Sequence, residues 1–314
     1  MKEFDLLHHI YNRRQQSGHD HVLIGPGDDM ALVHLLHDTN NLLAAVDQVV
    51  AGCHFQYPAT TPIDLVGTKA VTRSLSDIAA MAGRPLASLA AAVLPADMSD
   101  SQAQALVNAM NAAADQYHCP LIGGDVSIAQ PNTDTFVISV TVLAEPGPSG
   151  RAITRAGANA GDLVYVTGQL GGSIDPATGL GRHLTFEPRI DLALELTALT
   201  TITAMIDISD GLGRDLDHIA DMSGLRAVIR ADTLPISPGC DWKQAVSDGE
   251  DYELCFTISP DDAGDLPDTL CGIPLTCVGA MKPSDDNSGT KPRTVVAVND
   301  TEVDATGFGW EHRS

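Results

Sequence analysis

Basic residues are what this chain lacks most. It carries 18 Lys and Arg against 41 Asp and Glu, a formal charge of −23 over 314 residues. That imbalance argues against nucleic acid and against anionic membrane surfaces as partners, since both attract clustered Lys and Arg. Aromatic residues are also scarce, at 4%. Ala, Val, Leu and Ile must therefore fill the cores, and a hydrophobic content of 44% supplies enough of them. No apolar run approaches the roughly 18 residues of a membrane span. The opening MKEFDLLHHIYNRR has neither the apolar segment nor the small-residue cleavage site of a secretory signal. The six cysteines, Cys53, Cys119, Cys240, Cys255, Cys271 and Cys277, form no C-x-x-C pair. Their scatter predicts reduced, mostly buried thiols in a cytoplasmic protein, and no structural zinc.

A chain of this length suits two domains. In the first half NLLAAVDQVV and LASLAAAVLP read as strands, as do PLIGGDV and TFVISVTVLAE. Between them TTPIDLVGTKAVTRSLSDIAAMA reads as a helix, with Thr61 as its cap and Pro62 at the first helical position. Ser99 is placed to cap a second helix through Tyr117, with Leu106, Met110, Ala113 and Tyr117 on one side. Pro146 to Gly150, PGPSG, is the densest breaker cluster and the expected domain boundary. Beyond it GDLVYVTG, RAVIRA, DYELCFTIS, LTCVGAM and RTVVAVN read as strands, DLALELTAL and DGLGRDLDHIADM as helices, and KPSDDNSGTKP as a polar loop. The mixed order predicts an α+β architecture with mixed sheets.

Against this apolar background, aspartates recur beside hydrophobic runs. They are Asp28 and Asp29 after a Gly-Pro-Gly turn, Asp47 in AAVDQVV, Asp125 in LIGGDVS, and Asp207 and Asp210 in MIDISDGL. Asp77 shares a helical stripe with Ile63, Val66, Ala70, Ser74 and Met81. A single such aspartate is ordinarily a helix cap or a turn residue, and Asp207, Ser209 and Asp210 could simply cap the helix that follows. Six or seven together repel one another unless cations join them, and Mg²⁺ suits a carboxylate set that also receives nucleotide phosphates. Familiar nucleotide and hydrolase motifs are absent. The segment ending Gly67-Thr68-Lys69 is not a Walker A loop, and GLGRDL lacks the third glycine of a dinucleotide fingerprint. Neither an EF-hand loop, an H-E-x-x-H zinc motif nor a G-x-S-x-G elbow occurs.

The ordered segments GPGDDMALV, VDQVVAGCHF, LSDIAAMAGRP, LIGGDVS, TRAGANAGDLVYVTG, HLTFEPRI, IDISDGL and GEDYELCF resemble those of the thiamine-monophosphate kinase family. This family belongs to the superfamily of aminoimidazole ribonucleotide synthetase and selenophosphate synthetase. The set runs from about residue 22 to 256, with a weaker Gly309-Trp310 near the C-terminus. The motifs are short singly and specific as an ordered set. The resemblance implies two α+β domains, 1–147 for metal, ATP and dimerisation and 148–314 completing the site, in a cytoplasmic homodimer joined through its N-terminal sheets. It implies ATP-dependent phosphorylation of thiamine monophosphate to thiamine diphosphate by direct in-line transfer. Asp29, Asp47, Asp77, Asp125, Asp207 and Asp210 are the implied Mg²⁺ ligands, with Asp77, Asp125 and Asp210 the catalytic groups among them. Gly124, Asp125, Arg155 and Ser209 are implied to contact ATP, and His54, Glu250 and Trp310 the thiamine phosphate. The chain departs from the family at Ala45 and Val46, where Ser-Thr is usual, at Ser74 for Asn, at Ala82 for Gly and at Asp248 for Gly. Without the resemblance, His54 is an ordinary turn histidine, Arg155 a surface ion pair, Glu250 a strand-entry residue and Trp310 a core cover. Two alternatives stay open: a superfamily relative acting on another small substrate, and a catalytically impaired ATP-binding homologue with a regulatory role.

Overall fold

The computed structural model describes residues 22–24, 28–34, 41–57, 60–131, 133, 135–148, 150–284, 293–299 and 301–310. The Gly-Pro-Gly turn at 25–27, the N-terminal segment and most of the polar loop at 282–292 lie outside them. Two mixed sheets carry the fold. The first comprises β1 (Val22–Ile24), β2 (Ala31–His34), β3 (Asn41–Val50), β4 (Gly83–Leu94), β5 (Leu121–Ile128) and β6 (Val137–Pro146), in the order β1-β2-β3-β6-β4-β5. Its pairs are antiparallel except β4 with β5. The second comprises β7 (Leu163–Thr167), β8 (Ile202–Asp207), β9 (Leu225–Arg230), β10 (Leu254–Ile258), β12 (Ile273–Pro283), β13 (Thr294–Val298) and β14 (Thr301–Asp304). Its order is β14-β13-β9-β12-β7-β10-β8, with the short β11 (Thr269–Leu270) paired to β12.

Helix α1 (Ile63–Ala80) lies between the sheets and is buried on most of its circumference. One continuous core joins Val66, Val71, Leu75 and Ile78 of this helix to Leu43, Ile138 and Val140 of the first sheet. The same core reaches Met205, Leu254 and Phe256 of the second sheet. The opposite face of the second sheet makes a separate core from Ala204, Ile206 and Cys255 with Leu216 and Ile219 of α4 (Leu212–Ser223). Strands β8 and β10 are thus covered on both faces, which is why their sequences, ITAMID and LCFTI, are mostly apolar with no alternation. Helix α2 (Asp100–Gln116) packs on α1, and Gly67 permits their closest approach: a Cβ there would sit 2.6 Å from the Leu106 carbonyl. Helices α3 (Ile190–Leu199), α5 (Trp242–Ser247) and α6 (Pro260–Ala263) complete the α-helices among the described residues. No helix among the described residues is long and apolar enough to cross a membrane.

The Ser99 cap forms as the sequence predicts, in a reciprocal box with Gln102. Thr61 does not cap α1. Its hydroxyl accepts the Gln56 N–H at 3.0 Å, and the helix starts at Ile63 with Pro62 before it and no side-chain cap. The IDISDGL aspartates do not cap α4 either. Gly211 holds that position, with φ +116°, and Asp215 reaches back to accept the N–H groups of Asp210 and Gly211, both at 3.0 Å. The cysteines are free, but Cys53 and Cys271 are exposed. Burial therefore holds for only part of the set, because these two sit in turns and not in the strands that bury Cys255.

Candidate active site

Three carboxylates from distant parts of the chain converge where the two sheets meet. Asp29 stands just before β2, Asp77 on the last full turn of α1, and Asp207 at the end of β8. Each offers an oxygen, and these oxygens lie within 4.8 Å of one another. Ser76 Oγ donates to Asp207 Oδ2 at 2.6 Å and orients it. Arg155 grips Asp29 through both arms of its guanidinium, Nη2 to Oδ1 at 2.8 Å and Nε to Oδ2 at 3.1 Å. It is largely buried, so it is not a surface pair. Its backbone N–H donates to Asp28 Oδ1 at 3.3 Å, which places Asp28 in the same network and not out in solvent.

One arginine does not balance this charge. Burial, with Asp47, Asp207 and Asp29 nearby, pushes the Asp77 carboxyl well above the ordinary range. Burial and the charge of Asp29 push Asp207 up to about 7, against the opposing hydrogen bond from Ser76. Such shifts are the response of convergent carboxylates to missing positive charge. Hard oxygen donors on rigid elements, with charge left uncompensated, fit Mg²⁺.

A second cluster lies beside the first. Lys69, one turn before Arg73 on α1, is fully buried. Its Nζ donates to the His54 carbonyl at 2.9 Å, lies 2.7 Å from His183 Nδ1 and pairs with Glu250. Tyr252 Oη donates to Glu250 Oε1 at 3.1 Å. Burial pushes the Glu250 carboxyl up, but the hydrogen bond from His183 and the charges of Lys69 and Arg73 outweigh it and hold the group well below the usual carboxylate range. Glu250 is therefore an anion on a fixed mount. Its backbone has φ +55°, and Tyr252 has φ +51°. Side-chain-bearing residues in this region cost about 1–2 kcal/mol each. Two within three residues mark a turn that the surrounding contacts impose. Those contacts are Glu250 N–H to the Ser209 carbonyl at 2.7 Å and Tyr252 N–H to the Ile208 carbonyl at 2.8 Å. They lace the GEDYE turn to the segment carrying Ser209 and Asp210.

A cleft opens here, lined by Cys53, His54, Arg73, Ile174, Ser209, Asp210, Asp248, Glu250 and Trp310. Trp310 is 54% exposed, and its backbone N–H donates to the Asp210 carbonyl at 2.9 Å, which brings the C-terminal segment over the cleft.

The other residues named from the sequence fall as follows. Asp47 points from β3 to Arg73, whose Nε donates to Oδ2 at 3.1 Å. Gly124 and Asp125 lie on exposed β5. In the sheet register Asp47 leads through Val140 and Ala90 to Gly124, three strand spacings or about 14 Å away. Among the described residues, neither Asp125 nor Asp210 joins the group formed by Asp29, Asp77 and Asp207. Gly124 has no room for a side chain, since a Cβ would lie 1.8 Å from the Ala90 carbonyl. Of the departures, Ser74 Oγ donates to the Val140 carbonyl at 3.0 Å and Asp248 accepts the Gly172 N–H at 3.0 Å, while Ala82 carries φ +50° without glycine. Sequence reasoning did not find Lys69, Arg73, Ser76, His183 or Asp215. The signal for the first three was present, as charged and hydroxyl residues at helical spacing in a segment otherwise apolar enough to be buried. His183, in a loop, left none.

A fold of two mixed sheets around a buried helix, with carboxylates meeting at strand ends, defines the class. Residues 27–145 match the family described as AIR synthase related protein, N-terminal domain. The chain is 36% identical over 276 residues to the thiamine-monophosphate kinase of Rhodopirellula baltica, covering 83% of this chain and 84% of that one. It is 33% identical over 341 residues to that of Bacillus subtilis, covering 99% of each. A solved structure described as AaThiL complexed with AMPPCP and TMP superposes with a TM-score of 0.79 at 27% identity, covering 99% of this chain and 97% of that one. The chain belongs to the thiamine-monophosphate kinase family.

Proposed function

We propose that this chain transfers the γ-phosphoryl group of ATP to the phosphate of thiamine monophosphate, giving thiamine diphosphate and ADP. The observation that carries the reading is the convergence of Asp29, Asp77 and Asp207 beside an acid-lined cleft that includes Trp310. The acceptor is already an anion, so an oxygen of its phosphate attacks the γ-phosphorus in line as the bond to ADP breaks, and no general base is required. Asp29, Asp77 and Asp207, with Asp47, Asp125 and Asp210 as further candidates, would hold Mg²⁺. When bound, the ion supplies charge that offsets the repulsion between two polyanions. Ser76 and Asp215 keep Asp207 and the Asp210 turn in place. Gly124, Asp125, Arg155 and Ser209 are assigned to the nucleotide, and His54, Glu250 and Trp310 to the thiamine side. Residues 1–147 and 148–314 are the two domains, with Lys69–Glu250 and Ser76–Asp207 bonded across them.

A homodimer through the N-terminal sheet fits the character of β5. It is an edge strand, and Ile122, Val126 and Ile128 are more than half exposed on it; exposed apolar edges invite pairing. Free cysteines suit a cytoplasmic location. The deciding experiment measures ATP consumption with Mg²⁺ and thiamine monophosphate, against thiamine and aminoimidazole precursors as controls. Turnover only with thiamine monophosphate is expected. Turnover on another acceptor, or nucleotide binding with no turnover, would overturn the assignment.

A further inference from the structure

We propose that Arg73 is the resident cation of the acceptor subsite and binds the phosphate of thiamine monophosphate directly. The proposal rests on the substrate reading above and adds a residue to it. Arg73 lies on α1 between Asp47 and Glu250 and lines the cleft, with its side chain 18% exposed. Nε donates to Asp47 Oδ2. Nη1 stands 3.7 Å from Glu250 Oε1, beyond hydrogen-bond reach, and is buried with no hydrogen-bond partner. A guanidinium stays charged and carries a fork of donors. Leaving Nη1 idle in a buried setting is costly, so an incoming acceptor is favoured.

Two neighbouring cations are already held by carboxylates. Arg155 is held by Asp29 through both arms, and Lys69 by Glu250, His183 and the His54 carbonyl. Among the described residues lining the cleft, Arg73 is the sole arginine or lysine, facing Asp210, Asp248 and Glu250. The substrate has two unlike ends. The carboxylates and the Trp310 indole suit a thiazolium cation and repel a phosphate. A phosphate in this cleft needs a positive partner, and a guanidinium fork matches its geometry. Arg73 thus gives the subsite a phosphate contact that does not depend on a metal.

Titration calorimetry in EDTA, with thiamine monophosphate and with thiamine, tests this. The unaltered protein should prefer the phosphorylated ligand by about 10- to 100-fold, the strength of a charge-assisted contact. Arg73→Gln should abolish that preference while keeping its affinity for thiamine, and Arg73→Lys should restore part of it. Three outcomes overturn the proposal: equal affinity of the unaltered protein for both ligands, full preference retained in Arg73→Gln, or a parallel loss of thiamine affinity, which would make Arg73 a structural brace. Failure of the unaltered protein to bind either ligand, with or without Mg²⁺, would instead remove the substrate reading and this proposal together.

Discussion

Asp77 and Trp310 carry most of the chemistry that single residues can reveal here. Asp77 is a carboxylate on a buried helix, surrounded by Asp29, Asp47 and Asp207. If its purpose is to hold a cation, neutralising it should remove most activity and leave the fold intact. Asp77→Asn should also melt no lower than the unaltered protein in EDTA, because it relieves carboxylate repulsion. Near-normal turnover, read in the ATP-consumption assay, would make Asp77 a structural residue only. Trp310 is half exposed over the cleft, and an indole face attracts a cation by about 0.5–2 kcal/mol. Trp310→Ala should raise KM for thiamine monophosphate by about 3- to 30-fold and change KM for ATP much less. A lowered melting temperature with both KM values unchanged would show that the ring only covers the domain below it.

Helix α1 is the element on which the site depends. Lys69, Arg73, Ser76 and Asp77 recur at helical spacing, so one side of a single helix presents four polar groups to the second sheet and its turns. Lys69 and Glu250 form a pair whose lysine is wholly buried. Removing Lys69 leaves Glu250 with only His183, Tyr252 and the more distant Arg73, at a cost of up to about 3–5 kcal/mol. Lys69→Met should therefore lose stability on that scale in urea denaturation, and Lys69→Met with Glu250→Gln should recover part of it. If the double variant is less stable than the single one, the pair is not the source of the loss. Elements of this size were legible in the sequence. The cap of α2 announced itself through Ser99 and Gln102, and β3, β4, β6 and β10 through apolar runs. The α5 and α6 helices and strands β2, β8, β11 and β14 were not read, since segments of two to six residues are too short to show a period.

At the scale of the whole molecule, the acid excess sets the pH response. Asp28 and Asp251 are pushed up to about 6 and Asp207 to about 7, in each case chiefly by burial. Between the ordinary carboxylate value of about 3.9 and these values, the folded state retains protons that the unfolded chain has released. Stability contributed by these groups is complete below that window and is lost as pH rises through it. The melting temperature in EDTA should fall from about pH 5 to about pH 8. The increment produced by Mg²⁺ should be larger at the upper end, where protons no longer compete for the carboxylates. A melting temperature that is flat or rising over that range in EDTA would contradict this account of the buried acids.

The sequence by itself determined the α+β class, most of the longer strands and helices, and the identity of the aspartates beside apolar runs. Each of these is written in a window of a few turns or a few residues, where period, capping and composition act locally. The tertiary structure alone decided which of those aspartates meet. Asp29, Asp77 and Asp207 converge, while Asp125 stays on an exposed edge strand and Asp47 turns to Arg73. It also decided that Lys69 pairs with a residue 181 positions away and Ser76 with one 131 positions away. Such partners are chosen by how two sheets close on one helix, and no local pattern records that closure. A lysine in the middle of a helix looks alike whether it faces water or a buried glutamate.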